Sequence, residues 1–532
     1  RALGSKSGAK ALAQQQGVPC LPGYFGADQS DEKFTAEATR IGYPVMVKAV
    51  AGGGGRGMRL VTEPQQLNAA LHSARSEAAS SFGSNELLVE KALLAPRHVE
   101  LQIFADSHGN CIHLGERDCS VQRRHQKIME ESPSPAVDEA LRERMGSCAV
   151  QLAQAAGYVG AGTVEFLLEG NEFFLMEMNT RLQVEHPVTE AVTGLDLVEW
   201  QIHVARGLPL PLQQNEVVFG GHAIEVRLCA EDEHFTPHTG TVQRFVAPTG
   251  VRCDHALQDG LVVSPYYDAM LGKLIAHGAN RQAAIAQLGL ALDQTVLLGL
   301  PTNRAFLRAC LQHPVFANGD AAIPFLAEHA DAIRQTLQHD AQQALPAASI
   351  AVHFSASTGA APALALPFAR PLRMRHGDRI YPFTLRELGQ GKLSLSYGDT
   401  EHAALCQRKA PGQFAVSVDG LRHAVRLVPA NGRWHVQVNG TELWLHDATL
   451  QPPAGAGAGN AGNELRAPFN GKVIALHFHA GDVVRRGTPL LVVESMKLEH
   501  VLAAPRDGVL ASVEVATGQQ VTPGQVLLRF TP

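Results

Sequence analysis

Apolar and polar residues alternate along this chain with two different periods, and the changes of period mark its predicted parts. Between residues 41 and 330, helical periodicity over 140–156 and 281–292 is interspersed with strand-like runs such as 43–50 and 173–178. Helices and strands mixed in this way predict an α+β or α/β fold for this region.

The next region has the alternating pattern of antiparallel strands. Between 379 and 450, Asp419-Gly420 and Asn439-Gly440 each separate two alternating runs, and both dipeptides supply the positive φ angles of a tight hairpin turn. The stretch 331–365 is rich in Ala, Gln and Pro and is expected to be a boundary with some helix. Residues 451–463 (QPPAGAGAGNAGN) are predicted to be a flexible linker with a typical end-to-end distance of roughly 20 Å.

The C-terminal residues, 464–532, contain a diverged internal repeat with a period of 37 residues. The segment 467–473 recurs at 504–510, and four further positions keep the same spacing: Gly481, Val484, Gly487 and Leu490 recur as Gly518, Val521, Gly524 and Leu527. Two similar runs of short strands with glycine turns predict a quasi-twofold β-sandwich, with Met496 and Lys497 on the turn that joins its halves. A lone Met-Lys pair would be an ordinary solvated hairpin, but the surrounding repeat favours a functional lysine.

Composition and charge narrow the class of protein. A chain of 532 residues is too long for one core and is expected to form several domains, and a charged fraction of 18% is typical of globular proteins. The net charge of −6 gives no reason to expect nucleic acid or an anionic membrane as a partner. The eight cysteines form no CxxC pair, which favours a reducing compartment. No apolar run approaches the roughly 18 residues of a transmembrane helix.

A glycine-rich loop is the first candidate for chemistry. Residues 52–57 (GGGGRG) lie between two strand-like runs, with Lys48 at the root of the loop. Because a strand follows, this GxGxxG match is not expected to be a dinucleotide fingerprint, and it lacks the Gly-Lys-Ser/Thr of a Walker A loop. The backbone N–H groups of Gly53, Gly54 and Gly55 can approach phosphate oxygens, since no Cβ intervenes. A lid over phosphates is therefore favoured over a plain flexible hairpin.

Two glutamates are predicted to face each other in a hairpin that turns near residue 171. Folding the hairpin places Glu165 opposite Glu177, where like charges repel unless a cation lies between them. Asn179 follows on the same face, so the three side chains form a candidate all-oxygen site for Mg²⁺ or Mn²⁺ beside nucleotide phosphates. Two exposed glutamates on a solvated face are the alternative.

Polar residues also follow and precede this hairpin. The second strand is expected to continue through 181–187, which would place the odd-numbered side chains up to Glu185 on one face. Upstream, 116–127 (ERDCSVQRRHQK) contains many charges in a short span. A charged run is usually a solvated surface, but beside a nucleotide its cations would neutralise phosphate and bicarbonate.

Three segments are highly specific: Glu-Arg-Asp-Cys-Ser at 116–120, Gln-Arg-Arg-His-Gln-Lys at 122–127 and Glu-Met-Asn-Thr-Arg-Leu-Gln-Val-Glu-His-Pro at 177–187. With the glycine loop, they closely resemble the biotin carboxylase form of the ATP-grasp fold over residues 1–330. The resemblance implies ATP- and bicarbonate-dependent carboxylation of biotin. The ATP-binding residues that it implies are Lys6, Lys48, Gly53, Gly54, Gly55, Glu90, Lys91, Leu93, His98, Gln122 and His125.

The same resemblance implies roles for the other polar residues. The metal ions would be bound by Glu165, Glu177 and Asn179. Bicarbonate would be held by Lys127, Arg181, Gln183 and Val184. Glu185 would be the base that deprotonates bicarbonate so that it can attack the γ-phosphate of ATP, and Arg227 would stabilise the enolate-like ureido oxygen of biotin.

Residues 464–532 in turn resemble a biotinyl carrier domain, with Lys497 as the attachment site of biotin. The usual Ala-Met-Lys-Met of this family stands here as Ser495-Met496-Lys497-Leu498, and biotinylation is expected to survive both changes. The N-terminal subdomain of biotin carboxylases has no counterpart before Arg1, and the chain starts without an initiator methionine or a signal pattern. A fragment lacking its natural beginning is therefore expected.

The expected architecture is an α+β multidomain protein. It comprises an ATP-grasp biotin carboxylase at 1–330 with a lid subdomain at 20–92, a small antiparallel β-rich docking domain at 331–450, the linker at 451–463 and an all-β biotinyl sandwich at 464–532. About 130 residues between 330 and 464 cannot hold a carboxyltransferase barrel. The carboxyltransferase, which receives the acyl-CoA, is therefore expected on a separate β subunit.

The resemblance thus implies a ligase, the α subunit of a heteromeric acyl-CoA carboxylase. The 3-methylcrotonyl-CoA or geranyl-CoA type is favoured, with propionyl-CoA and acetyl-CoA left open. A biotin protein ligase is expected as a further partner, and the subunit is expected to be part of a large hetero-oligomer. The expected compartment is the bacterial cytoplasm, with the mitochondrial matrix as the alternative. The competing hypotheses are a carrier and docking module without carboxylase activity, and an ATP-grasp ligase of another specificity.

Overall fold

The computed structural model describes residues 6–51, 57–123, 126–356, 368–451, 463–496 and 498–531. After helix α1 (Lys6–Gln15), a small four-stranded antiparallel sheet carries two helices on one face, and its strands lie in the order β1-β4-β2-β3. The elements are β1 (Gly23–Tyr24), α2 (Asp31–Ile41), β2 (Val45–Ala49), β3 (Met58–Val61), α3 (Leu67–Phe82) and β4 (Leu87–Lys91). Val45, Val47 and Ala49 pack into the core beneath the helices, so Lys48 points to the opposite face.

An eight-stranded sheet in the order β13-β15-β10-β7-β6-β5-β8-β9 forms the centre of the molecule. Its strands are β5 (Arg97–Ala105), β6 (Cys111–Arg123), β7 (Gln126–Ser132), β8 (Gly160–Glu169), β9 (Glu172–Asn179), β10 (His222–Cys229), β13 (Arg252–His255) and β15 (Met270–Gly278). The helices of this region are α4 (Glu139–Ala155), α5 (His186–Thr193), α6 (Leu197–Ala205), α7 (Arg281–Gln294), α8 (Arg304–Gln312) and α9 (Pro314–Ala317). Two small pairs complete it: β11 (Gly240–Thr241) with β14 (Val262–Val263), and β12 (Arg244–Val246) with β16 (Val296–Leu298).

The residues after 368 form a closed barrel of eight antiparallel strands around a helix. The strands are β17 (Arg370–His376), β18 (Arg379–Gly389), β19 (Lys392–Tyr397), β20 (Thr400–Ala410), β21 (Gln413–Val418), β22 (Leu421–Ala430), β23 (Arg433–Val438) and β24 (Thr441–Asp447). Helix α10 (Phe325–Ala356) packs its alanine-rich second half against the inward-facing side chains of the barrel. The described part of the stretch that composition marks as a boundary, up to residue 356, is thus helical, and its alanine-rich end lies in the core of this barrel, because small side chains let a helix fit inside a narrow sheet.

Arg304 of α8 joins the barrel to the central region. Its side chain is fully buried and donates to Glu442 Oε1 at 2.6 Å, to the Leu292 carbonyl at 2.8 Å and to the Gly440 carbonyl. Gln437 Nε2 adds a hydrogen bond of 2.9 Å to the Thr295 carbonyl. None of the helices within the described ranges is long and apolar enough to cross a membrane.

The C-terminal sandwich shows the 37-residue period in its elements. Its strands are β25 (Glu464–Arg466), β26 (Gly471–Leu476), β27 (Val483–Val484), β28 (Pro489–Ser495), β29 (Leu498–Ala503), β30 (Gly508–Val513), β31 (Gln520–Val521) and β32 (Val526–Phe530). They form two four-stranded sheets, β25-β32-β30-β27 and β29-β28-β26-β31. The repeated turn glycines, such as Gly481 and Gly518, have φ angles of 96° and 90°, which L side chains rarely adopt. The predicted quasi-twofold sandwich is confirmed.

Candidate active site

A cavity of about 670 Å³ lies between the small four-stranded sheet and the polar face of the central sheet. This size is within the range of ligand sites in proteins. Most of the predicted site residues line the cavity: Lys48, Glu90, Lys91, Leu93, His98, Gln122, Lys127, Glu165, Glu177, Asn179, Arg181, Gln183, Val184, Glu185 and Arg227. The side chain of Lys6, together with Gly53, Gly54, Gly55, His125 and Lys497, falls outside the described residues.

The alternation of side chains along the strands explains why this face is polar. On β5, Val99, Leu101 and Ile103 pack into the core beneath the sheet, whereas His98 and Glu100 project to the cavity side. The two kinds of residue alternate in the same way on β8. Each strand thus contributes to the hydrophobic core with one face and to the site with the other.

Lys127 is the centre of a buried cluster of charges. Its Nζ contacts Glu185 Oε1 at 2.6 Å, Glu165 Oε1 at 3.0 Å and the carboxylate of Glu100. All three glutamates are nearly inaccessible to solvent, with at most 4% of each residue exposed. Because buried carboxylates are costly without a cation, this single lysine stabilises all three.

Arg227 lies on the other side of Glu185. It donates to Glu185 Oε2 at 2.9 Å and to Glu130 Oε1 at 2.6 Å. Glu185 is therefore held between two cations, one at each carboxylate oxygen. Burial alone would raise the pKa of Glu185, but the charges of Lys127 and Arg227 outweigh it and hold the pKa far below its usual range.

Burial has the opposite outcome for Glu130. Its carboxyl is fully enclosed, and burial raises its pKa to about 7 although Arg227 partly opposes the shift. Arg227 is thus anchored by one carboxylate that is firmly ionised and by another that titrates near neutral pH.

The hairpin of β8 and β9 has the register that the sequence predicts. Glu165 pairs with Glu177, and Thr163 pairs with Asn179. Burial would raise the pKa of Glu165, but Lys127 and His98 hold it well below its usual range, so this oxygen donor is ionised. With Glu177 and Asn179 beside it on the cavity wall, the donor set consists of carboxylate and amide oxygens, which fits Mg²⁺ or Mn²⁺.

The expectation that this strand continues to residue 187 is wrong. Strand β9 ends at Asn179, and α5 begins at His186. The intervening residues form a turn in which His186 Nδ1 and N–H both bond the Gln183 carbonyl, at 2.7 and 3.4 Å, and the Lys273 ammonium donates to the Val184 carbonyl. Local hydrogen bonds thus replace the sheet ladder, and the turn still brings Gln183 and Glu185 to the cavity.

The small sheet contributes a second charged group. Glu90 of β4 forms ion pairs with Lys48 and with Lys10 of α1. Lys91 donates instead to the carbonyls of Gly42 and Tyr43, at 3.0 and 3.1 Å. Two lysines converging on one glutamate at the cavity wall provide cations for phosphate oxygens.

Sequence reasoning missed several residues of the site. Arg117 is completely buried and donates to Glu100 at 2.6 Å, Gln102 at 2.8 Å and Thr189 at 3.0 Å. Its charged run is not a solvated surface, because β6 lies in the middle of the sheet. Glu100 and Gln102 could have been found from the alternation of polar and apolar residues in 98–103, whereas Lys10 and Glu130 carry no such signal.

The C-terminal sandwich reaches the same cavity. Met496, which directly precedes Lys497, is one of the lining residues, together with Arg227 and Glu185. A group attached at position 497 would therefore start one residue from the cavity wall.

Comparisons with known proteins agree with this geometry. The family model of the carbamoyl-phosphate synthase L chain, ATP binding domain, matches residues 5–213, that of the biotin carboxylase C-terminal domain matches 225–328, and that of the biotin-requiring enzymes matches 463–530. The methylcrotonoyl-CoA carboxylase subunit alpha of Dictyostelium discoideum is 38% identical over 96% of this chain and 78% of its own length. The chain belongs to the biotin carboxylase-containing α subunits of acyl-CoA carboxylases.

Two further relatives define the range of this family. The propionyl-CoA carboxylase alpha chain of Ruegeria pomeroyi is 36% identical over 99% of this chain and 84% of its own length. The crystal structure of the biotin carboxylase domain of Hydrogenobacter thermophilus 2-oxoglutarate carboxylase, with MgADP and bicarbonate, has a TM-score of 0.61 and 40% identity. The matched region covers 62% of this chain and 74% of the chain in that structure.

Membership of this family confirms the predicted fold class, an α+β multidomain protein with an ATP-grasp biotin carboxylase and an all-β biotinyl domain. It also confirms the prediction of a ligase that carboxylates biotin at the expense of ATP. The roles of individual residues come from the geometry of this chain.

Proposed function

We propose that this acyl-CoA carboxylase α subunit carboxylates biotin carried on Lys497, with ATP, Mg²⁺ or Mn²⁺, and bicarbonate as the other reactants. The observation that carries the proposal is the convergence of Lys127, Glu185 and Arg227 in one cavity, whose wall includes Met496. The relative from H. thermophilus supports it, since that domain was crystallised with MgADP and bicarbonate.

The nucleotide belongs to the part of the cavity between the two sheets. Lys48, Glu90, Lys91 and Leu93 line it from the small sheet, and His98 and Gln122 line it from the central sheet. Glu165, Glu177 and Asn179 would hold the metal ion, which neutralises phosphate charge when bound. For Lys6, Gly53, Gly54, Gly55 and His125, contact with the nucleotide is a proposal from sequence alone.

Bicarbonate would bind beside Lys127 and Arg181, near the Gln183 side chain and the Val184 backbone. Glu185 is the base that we propose for its deprotonation, although two cations now depress the pKa of this carboxyl. An incoming anion competes with Glu185 for Lys127 and Arg227. As those cations turn to the anion, Glu185 loses part of its stabilisation, its pKa rises, and it becomes a better proton acceptor.

Arg227 would then stabilise negative charge on the ureido oxygen of biotin. Its Nε donates to Glu130 Oε1 at 2.6 Å, so the guanidinium stays anchored there while its other nitrogens turn to the ligand, and little reorganisation is needed when charge develops. Exclusion of water from the cavity during the reaction would protect short-lived carboxylating species from hydrolysis.

The acyl-CoA is proposed to be of the 3-methylcrotonyl-CoA or geranyl-CoA type. Several relatives that match nearly the whole chain are methylcrotonoyl-CoA carboxylase α subunits, while a propionyl-CoA carboxylase α chain is 36% identical. The carboxyltransferase would be a separate β subunit that docks on the barrel of residues 368–451 in a large hetero-oligomer. A biotin protein ligase would attach biotin to Lys497.

Two experiments test these proposals. Streptavidin blotting of protein from a host with a biotin ligase should detect the wild type and not Lys497→Ala. ATP- and bicarbonate-dependent carboxylation of free biotin should fall about a hundredfold or more in Glu185→Gln, whereas Glu172→Gln, at the exposed end of the β8–β9 hairpin, should be unaffected.

Negative results in these assays have definite meanings. A well-folded wild type that does not carboxylate free biotin would support the carrier and docking module instead. In a separate experiment, a panel of acyl-CoA esters assayed with the co-purified β subunit would identify the substrate. A preference for propionyl-CoA would overturn the proposed 3-methylcrotonyl-CoA or geranyl-CoA type.

A further inference from the structure

The tip of the C-terminal sandwich contacts the carboxylase at two points. Met496 packs in an apolar recess formed by Cys229, Ala269 and Met270 and is only 7% exposed. Asn470 Nδ2 donates a hydrogen bond of 3.4 Å to Thr239 Oγ1. We propose that Met496 and Asn470 are positioning residues, which seat the carrier so that position 497 faces the cavity. This inference rests on the proposed function and names the contacts by which the carrier is loaded.

The recess is rigidly connected to the reacting end of the cavity. Cys229 follows Arg227 by two residues on β10, with a register shift against β15 between Leu228 and Cys229. Met270 of β15 pairs with Cys229 in the sheet register. A carrier whose Met496 occupies this recess is thereby held at a set place relative to Arg227, the group that we propose contacts biotin.

The conformation of Met496 indicates a role beyond the turn itself. Ser495 pairs with Leu498, so a two-residue turn joins β28 to β29, and Met496 has a φ of 48°. Asparagine or glycine adopts this left-handed conformation more easily than methionine. The strained backbone of Met496 is a reason to look for a function at this residue. Its unbranched thioether side chain is adaptable, which suits a recess that the carrier enters and leaves repeatedly.

The hydrogen bond at Thr239 distinguishes the two halves of the sandwich. By the 37-residue repeat, Asn470 corresponds to Asp507, whose Oδ1 accepts from the Arg486 N–H at 2.6 Å. Asp507 is thus engaged within the sandwich itself, whereas Asn470 reaches the carboxylase. The bond to Thr239 therefore distinguishes one of two similar faces.

The test compares biotin carried by the chain with free biotin as acceptors for the same full-length protein. Met270→Ala enlarges the recess, and Asn470→Ala removes the side chain that bonds Thr239. Asp507→Ala, at the equivalent place in the other repeat, is the matched control. Intact mass measures the biotin occupancy of each variant, and incorporation of labelled bicarbonate into the protein measures loading of the carried biotin.

We expect Met270→Ala to slow loading of the carried biotin about tenfold, the factor that corresponds to roughly two buried methylene groups. Asn470→Ala should slow it about threefold to tenfold, and Asp507→Ala should not. Free-biotin carboxylation should be unchanged or faster in Met270→Ala and Asn470→Ala, because a poorly seated carrier competes less for the cavity, and it should be unchanged in Asp507→Ala. Met496→Leu, which keeps an apolar side chain, should restore most of the loading lost in Met496→Ala.

Three results would overturn the proposed seating contacts alone: equal losses with free and carried biotin, no loss in Met270→Ala or Asn470→Ala, or an Asp507→Ala protein as slow as Asn470→Ala. A wild type inactive with free biotin would overturn the proposed function and the seating contacts with it.

Discussion

Replacing Lys127 by methionine should destabilise the central sheet strongly, because one ammonium neutralises three buried carboxylates. Its Nζ lies 2.6 Å from Glu185 and 3.0 Å from Glu165, and it also contacts Glu100. Removing one partner of a buried ion pair costs about 3–5 kcal/mol. Arg117 and Arg227 still contact two of the carboxylates, so we expect this figure for the cluster and not a multiple of it.

The loss should depend on pH in a definite direction. Without Lys127, burial should raise the pKa of Glu165 above its value in the unfolded chain. The folded variant then binds protons that the unfolded chain releases, so its stability falls as the pH rises from about 4.5. The deficit relative to wild type should therefore be larger at pH 8 than at pH 5.5, by about 1.4 kcal/mol for each unit of pKa shift.

Hydrogen exchange followed by mass spectrometry measures this locally, which suits a chain of several domains. Exchange in β6 and β7 should accelerate, while exchange in barrel strand β21 should not. Lys409→Met, which removes an exposed barrel lysine, is the control and should change stability by less than about 0.5 kcal/mol. Equal protection in the two variants, or a deficit that grows as the pH falls, would refute the reasoning.

Three further predictions concern other charged side chains. Glu130→Gln should flatten the pH dependence of the free energy of unfolding. The pKa of Glu130 is raised to about 7, so the wild type loses stability as the pH rises from about 4.5 to 7. Denaturant titrations at several pH values would contradict this if the free energy of unfolding changed equally with pH in the wild type and the variant. Arg304→Met should leave Glu442 buried without its cation and cost about 3–5 kcal/mol, seen as faster exchange in β23 and β24 but not in the sandwich. Glu177→Gln should raise the Mg²⁺ concentration needed for half-maximal activity about tenfold or more, and an unchanged metal titration would remove it from the metal site.

Local patterns in the sequence predicted much of the fold. The hairpin register of Glu165 and Glu177 follows from the positions of two strands and one turn, and it is observed. The sandwich follows from the 37-residue repeat, whose spacing reappears from β26 to β30 and from β27 to β31. The hairpin register depends on contacts between residues that are close in sequence, and the sandwich depends on two copies of one pattern. Both kinds of signal can be recognised in a single sequence.

Other features could not be predicted in this way. The break after Asn179 depends on a turn held by Gln183 and by Lys273, which is distant in sequence. The helix that fills the barrel has the composition of a linker, because a narrow barrel selects alanine for its size. Which residues of a charged run are buried depends on what covers β6. Its sheet neighbours β5 and β7 are close in sequence, but helix α10, which packs against it, comes from a remote part of the chain.

The family, the candidate residues and the place of Lys497 between two repeats could be predicted from the sequence, because motifs and periodic patterns involve residues that are close together along the chain. The tertiary structure decided which charges share partners: one lysine for three glutamates, Arg227 between Glu130 and Glu185, and Met496 against β10 and β15. The residues that pair in this way are tens to hundreds of positions apart along the chain. Burial makes unpaired charges costly, so the electrostatics of the site exist only once the chain is folded.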